Sequence, residues 1–149
     1  MSLATGLARR GIRAKKSFDQ NFLVDQKVIR TIVKAAQLTP SAVVVEAGAG
    51  AGNLTEQLLN AGAQVIAIEL DRDMTPLLRE RFGASAKFSL IEDDIRRVNL
   101  NQFGSYTFVG NLPYSITGQI LRVLTESIKP PRRIVIMIQK EVAQKILAQ

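Results

Sequence analysis

Cysteine and histidine are both absent from the 149 residues of this chain. Their absence excludes disulfide bonds, thiolate nucleophiles, Ser-His triads and the usual zinc sites. We therefore expect no metal centre. Any chemistry must depend on carboxylates, amides, backbone groups and a bound cofactor.

Long apolar segments are also missing. No run approaches the roughly 18 residues that a membrane span needs, and the N-terminus lacks the uninterrupted apolar stretch of a secretory signal. The chain is 46% hydrophobic and 22% charged, which is ordinary for one globular domain of this length. These features predict a cytoplasmic protein without a membrane partner.

Acidic residues are absent from the first sixteen positions. Residues 1–16 hold Arg9, Arg10, Arg13, Lys15 and Lys16, which account for five of the seven excess positive charges. We interpret this segment as a basic arm that favours phosphate backbones. A solvated tail is an equally good interpretation, and an organellar transit peptide is a third.

Apolar strand-like runs alternate with helical patterns from residue 17 onward. This order predicts βαβ units in an α/β fold with a doubly wound, mostly parallel sheet and helices on both faces. The chain stops inside a helical pattern, which indicates a fragment of a longer protein. The predicted strands are 42–47, 64–70, 87–91, 105–109 and 133–138. The main helices are predicted over about 28–36, from 54 to near 62, 73–81 and 117–126, with another from 139.

A glycine-rich loop follows the first strand directly, with glycines at positions 48, 50 and 52. Such a loop lets the backbone approach a ligand closely and directs amides at it. Asn53 stands where a dinucleotide fingerprint needs its third glycine, so another nucleoside cofactor is favoured over NAD or FAD. Glu69, at the end of the second strand, is placed to accept both ribose hydroxyl protons. A tight turn and a solvated carboxylate are the structural alternatives.

Polar residues also end the third and fourth strands. One acid among Glu92, Asp93 and Asp94 can accept a hydrogen bond from an adenine amino group, although spacing does not choose which, and a surface acidic turn is the alternative. The stretch 111–114 brings an amide, a proline and an aromatic ring to the same edge. Taken alone, it is equally well explained as a turn that closes a strand.

Five motifs together resemble the S-adenosylmethionine-dependent rRNA adenine N6,N6-dimethyltransferases. The motif at 139–143, together with the prolines and arginines at 130–133, resembles the KsgA type, which acts on small-subunit rRNA. The related Erm type acts on large-subunit rRNA. The motifs are Glu46-Ala-Gly-Ala-Gly-Ala-Gly-Asn-Leu-Thr55, Ile68-Glu-Leu-Asp71, Asn111-Leu-Pro-Tyr114, Gln20-Asn-Phe-Leu23 and Gln139-Lys-Glu-Val-Ala143.

The resemblance implies a Rossmann-like class I methyltransferase fold, truncated before its last strands and lacking a C-terminal helical domain. The domain is expected over residues 17–149. The implied cofactor is S-adenosylmethionine, and the implied partner is rRNA or a precursor of the small ribosomal subunit, bound by a monomer. The cofactor-binding residues it implies are Asn21, Leu23, Gly48, Gly50, Glu69, Asp94 and Asn111.

The resemblance also assigns roles at the target adenine. Asn111 holds both cofactor and amine, Leu112 and Pro113 present backbone carbonyls to the amine, and Tyr114 stacks on the flipped base. Two departures from the family pattern are Ala49, where many members have proline, and Asp19, where glycine is common in the KsgA type. The competing hypotheses are an Erm-type enzyme, a methyltransferase-like factor that binds nucleic acid without catalysis, and a small-molecule methyltransferase.

Overall fold

The computed structural model describes residue 11 and residues 23–148. The proposed basic arm, apart from Gly11, and the predicted site residue Asn21 lie outside the described residues. Within that part of the chain, no helix combines the length and apolar character needed to cross a membrane.

Five parallel strands form one sheet in the order β3-β2-β1-β4-β5. The chain moves outward from β1 to β3 and then returns to place β4 against the other side of β1. Ligands bind in such sheets at the carboxyl ends of the strands where this reversal occurs. The parallel α/β fold is therefore confirmed. The strands are β1 (Val43–Ala47), β2 (Gln64–Ile68), β3 (Phe88–Ile91), β4 (Thr107–Asn111) and β5 (Arg133–Met137).

Five helices accompany the sheet in the described part of the chain. Two short 3₁₀ helices, Ile95–Arg97 and Leu100–Phe103, occupy the connection from β3 to β4, where a helix was not predicted. The α-helices are α1 (Gln26–Ala36), α2 (Asn53–Asn60), α3 (Thr75–Phe82), α4 (Tyr114–Glu126) and α5 (Lys140–Leu147).

Alternating strand residues build a core on each face of the sheet. Val44 and Val109 pack with α1 and α2, whereas Val45 and Phe108 pack on the opposite face with α4 and the 3₁₀ segment. All four of these strand side chains are fully buried. Because both faces are covered, the strands are continuously apolar rather than alternating.

Several element boundaries differ from the sequence prediction by one to three residues; the second strand, for example, ends at Ile68 rather than at residue 70. Two of these differences concern the stretch 111–114. Gly110 and Asn111 continue to pair with β5, so β4 includes Asn111 rather than ending before it. Helix α4 begins at Tyr114, three residues before the predicted start, with Pro113 as its N-cap. A proline φ of −56° suits a helix entry, which explains the early start.

Gly52 is the loop glycine with the strictest requirement. Its φ is +87°, and an added Cβ would lie 2.4 Å from Cε2 of Phe82. Gly62 has nearly the same backbone angle, φ +88°, but nothing lies within 4 Å of its Cβ position.

We therefore expect Gly52→Ala to lower the free energy of unfolding by roughly 2–5 kcal/mol, from about 1–2 for the left-handed backbone and about 1–3 for crowding. Gly62→Ala is the matched control, because it carries only the backbone cost. Urea denaturation of both variants measures the difference. Equal losses of unfolding free energy in the two variants would show that the Phe82 ring moves aside without measurable cost, and would contradict the crowding argument.

Candidate active site

A cavity of about 640 Å³ opens at the carboxyl edge of the sheet. This volume is in the range of small-molecule and cofactor sites. Residues from the ends of β1, β2 and β4, and from the segments that follow β3 and β5, line it together. The predicted site residues along its wall are Leu23, Gly48, Gly50, Glu69, Asp94, Asn111, Leu112, Pro113 and Tyr114.

The glycine loop forms a cradle at the base of this cavity. The Gly48 amide donates a hydrogen bond to the Ile68 carbonyl at 2.8 Å, which fixes the start of the loop to β2. Gly48 has a φ of +73°, and a Cβ there would lie 3.4 Å from the backbone oxygen of Asn111. A side chain at position 48 would therefore narrow the gap between the loop and the end of β4.

Glu69 joins this loop to the end of the second strand. Its Oε2 accepts a hydrogen bond from the Gly50 amide at 2.7 Å, and its Oε1 accepts one from the Asp71 amide at 2.8 Å. The residue is only 6% exposed, and burial raises the pKa of its carboxyl group. Each carboxylate oxygen has more than one acceptor position, so these two bonds leave Glu69 able to accept from a ligand.

Glu46 is a site residue that sequence reasoning missed as a functional group. It lies within β1, is 1% exposed, and lines the cavity. The Thr55 hydroxyl donates a hydrogen bond to its Oε2 at 2.6 Å, and burial raises the pKa of Glu46 to about 7. A carboxylate inside an otherwise apolar strand was the available signal.

The three acids after β3 have separate surroundings. Glu92 forms an ion pair with Arg79 of α3, and Asp93 accepts a hydrogen bond from the Asp94 amide at 2.7 Å. Asp94 is 9% exposed and faces the cavity, where hydrogen bonds from Arg96 lower the pKa of its carboxyl group. Among the three, Asp94 is therefore a buried, ionised acceptor on the cavity wall. The alternative interpretation, an acidic turn on the surface, does not apply to Asp94, because this residue is buried and lines the cavity.

The stretch 111–114 delimits the opposite wall. Asn111 is half-buried, Leu112 is buried, and Tyr114 is 55% exposed at the cavity mouth. The Pro113 carbonyl accepts hydrogen bonds from the Ile116 amide at 3.2 Å and the Thr117 hydroxyl at 3.1 Å. The first turn of α4 thus occupies that carbonyl, which argues against its expected contact with a target amine and favours Leu112 for that role.

Leu23 reaches the cavity through a specific tether. The Asn53 side chain donates a hydrogen bond to the Leu23 carbonyl at 2.9 Å. This contact explains why asparagine follows the glycine loop at the start of α2. It also positions the chain that precedes α1 beside the loop.

Other wall residues gave weak sequence signals. Arg96 follows the acidic turn, and Leu70 is 47% exposed beside Glu69, where an exposed leucine is informative only once the cavity is known. Among the described residues, no group of three or more acids forms a metal-binding cluster.

This sheet, glycine loop and acidic second-strand end define a Rossmann-like methyltransferase fold of class I. Among the solved structures that share this fold is the 23S rRNA methyltransferase ErmE, which is 33% identical and has a TM-score of 0.74; the match covers 84% of this chain and 50% of that chain. Another is a dimethyladenosine transferase from Plasmodium falciparum, which is 29% identical and has a TM-score of 0.78; the match covers 87% of this chain and 47% of that chain.

The family model of ribosomal RNA adenine dimethylases matches residues 11–149. The chain belongs to this family. It is 43% identical over 142 residues to ribosomal RNA small subunit methyltransferase A of Thermosynechococcus vestitus, an alignment that covers 92% of this chain and 53% of the relative. The chain thus spans about half the length of the curated relatives it matches.

The buried Glu46 carboxyl group predicts a pH-dependent stability. The pKa of Glu46 is about 7 in the folded chain, against 4.5 for an ordinary solvent-exposed glutamate, so the folded state holds the proton more tightly than the unfolded state. The protonated Glu46 carboxyl group therefore stabilises the folded state. This contribution to the free energy of unfolding is complete below pH 4.5 and is lost as the pH rises through 7. The loss is roughly 3–4 kcal/mol, since each tenfold change in proton affinity corresponds to about 1.4 kcal/mol.

Glu46→Gln removes the titration but keeps an acceptor for Thr55. We expect its free energy of unfolding, measured in urea, to fall less with rising pH than that of the parent chain. The exposed Glu141→Gln is the control for a lost surface charge and should follow the parent. A parent-like slope in Glu46→Gln would contradict the assignment.

Proposed function

We propose that this chain carries the cofactor-binding and catalytic part of an S-adenosylmethionine-dependent enzyme that dimethylates adenine N6 in small-subunit rRNA. One observation carries the proposal. The stretch from Asn111 to Tyr114 faces the same cavity as the glycine loop, Glu69 and Asp94, so a nucleoside and an adenine amine can be held side by side.

The cavity suits the proposed cofactor in shape and charge. The Gly48 cradle leaves room beside the end of β4, Glu69 is an acceptor for ribose hydroxyls, and Asp94 is an acceptor for an adenine amino group. Among the described lining residues, five are acidic and Arg96 is the one cation. An acidic wall favours a positively charged ligand. When bound, S-adenosylmethionine supplies a sulfonium methyl group that an amine can attack.

The residues of the chain then need only orient the amine. Hydrogen bonds from the adenine amine to the Asn111 side-chain oxygen and the Leu112 carbonyl would fix its direction, and alignment of this kind is a large part of catalysis. No strong base is needed, which agrees with a chain that contains no histidine or cysteine.

Tyr114 provides a surface for the target base. A base must leave its stack to enter a buried site, and stacking on an aromatic ring offsets about 1–3 kcal/mol of that cost. The ring is exposed at the cavity mouth and belongs to the first turn of α4. It can therefore meet a flipped adenine.

Small-subunit rRNA is favoured as the substrate by the relatives. The curated relative of that name is 43% identical, whereas the large-subunit enzyme ErmE is 33% identical over a comparable share of the chain. The net charge of +7 suits a polyanionic partner. The intact Asn-Leu-Pro-Tyr stretch disfavours a non-catalytic binding factor, and the basic charge disfavours a small-molecule methyltransferase.

Asn111→Ala tests the proposal. We expect methylation of rRNA to fall at least about 100-fold, because loss of the amine's positioning contact has effects of this size. The assay uses radiolabelled S-adenosylmethionine with naked small-subunit rRNA, immature small-subunit particles and large-subunit rRNA. Asn60→Ala, an exposed change at the end of α2, is the matched control and should retain full activity.

Three results would contradict specific parts of the proposal. Near-parent turnover by Asn111→Ala would remove the role of the amide. Methylation of large-subunit rRNA alone would favour the Erm type. Cofactor binding by the parent chain without methylation of any RNA would favour the non-catalytic factor.

A further inference from the structure

Arg96 occupies the hydrogen-bonding capacity of Asp94. Its backbone amide and its Nε each donate to Oδ1 of Asp94 at 2.9 Å. Nε also lies 3.0 Å from Oδ2, and Nη2 donates to that oxygen at 2.5 Å. An ionised carboxylate offers about four acceptor positions, and three N–H groups of Arg96 are directed at them, the Nε–H being shared between the two oxygens.

The two partners differ in their access to solvent. The Asp94 side chain is 12% exposed and the Arg96 side chain is 42% exposed. Both line the cavity. The guanidinium is therefore the more accessible member of the pair, on the same cavity wall as the acid.

We propose that Arg96 competes with the cofactor's adenine amino group for the Asp94 carboxylate and thereby sets cofactor affinity. This inference rests on the proposed function, because it takes Asp94 as the acceptor for that amine. Arg96 is then a specificity-determining residue whose side chain is displaced from Asp94 on binding, while its backbone amide keeps its contact.

An alternative role for Arg96 predicts the opposite change in cofactor affinity when the guanidinium is removed. If Arg96 only orients Asp94 for the ligand, then loss of the guanidinium weakens cofactor binding. If the guanidinium competes, its loss strengthens binding. Exposed ion pairs are weak, so the expected gain is modest, about two- to fivefold in Kd.

Arg97 offers a matched control. It is exposed, adjacent in sequence, and acts on Asp94 through charge without a hydrogen bond. Arg97→Gln removes the same charge as Arg96→Gln. A difference between the two variants therefore reports the direct contact rather than the overall field.

Calorimetric titration with S-adenosylhomocysteine, which carries the same adenosine group, tests the proposal by binding alone. We expect Arg96→Gln to bind about two- to fivefold more tightly than the parent, and Arg97→Gln to bind as the parent does. Added salt should improve binding in the parent more than in Arg96→Gln, because salt screens the competing ion pair.

The 6-oxo analogue, S-inosylhomocysteine, provides the second measurement. It presents an acceptor in place of the amino group, so a guanidinium helps it rather than competing with it. We expect Arg96→Gln to bind this analogue no better than the parent does. A gain for both ligands would indicate a general opening of the cavity and overturn the proposal.

The remaining outcomes separate the two levels of inference. Weaker or unchanged S-adenosylhomocysteine binding in Arg96→Gln, with a parent that binds normally, overturns the competition and leaves the proposed function intact. Failure of the parent chain to bind S-adenosylhomocysteine overturns the cofactor assignment and the competition together.

Discussion

The carboxylate of Glu69 holds the site together. It accepts one backbone amide from the glycine loop and another from the turn before α3, so two segments that are distant in sequence share one anchor. Glu69 holds the loop at Gly50, while the Ile68 carbonyl holds its start at Gly48, beside the end of β4. The start of helix α3 is linked to the same anchor through Asp71. The Asp71 amide donates to Glu69, and the Asp71 carbonyl accepts hydrogen bonds from the amides of Met74 and Thr75, where α3 begins.

A second constraint follows from the charges beneath the loop. Glu46 and Glu69 are both buried, and each acid's burial disfavours its ionised form. Coulombic repulsion from Glu69 adds to the effect at Glu46. The chain as a whole is basic, but this cavity is acidic. Such a division suits the proposed cationic cofactor inside the cavity and the proposed polyanionic substrate outside it.

Much of the fold was predictable because its signals are local. The continuous apolar strands indicated the parallel sheet, and the apolar residues recurring at intervals of three and four indicated α1, which the Asp25 side chain caps by accepting hydrogen bonds from the Lys27 and Val28 amides. The exact ends of β4 and α4 were not predictable. They depend on pairing with β5 and on the φ of Pro113, which are properties of the assembled sheet.

The site was predictable where backbone chemistry leaves a mark in the sequence. Gly48 and Gly50 of the spaced glycines, the acid after the second strand and the Asn-Leu-Pro-Tyr stretch all lie on the cavity wall, and their roles toward a cofactor or a target base stay predictions. Glu46 and Arg96 escaped because their importance comes from partners that only the fold supplies: Thr55 in one case and the Asp94 carboxylate in the other. The engagement of the Pro113 carbonyl by α4 was hidden for the same reason.

The most direct test of a nucleoside site at this sheet edge is an NMR titration of the ¹⁵N-labelled chain with S-adenosylhomocysteine. We expect saturable shifts in the amides of Gly48, Gly50, Leu70 and Arg96 and in those next to Asn111, with little change along the exposed face of α1. Shifts confined to another surface, or no saturable shift in a folded chain, would contradict the account.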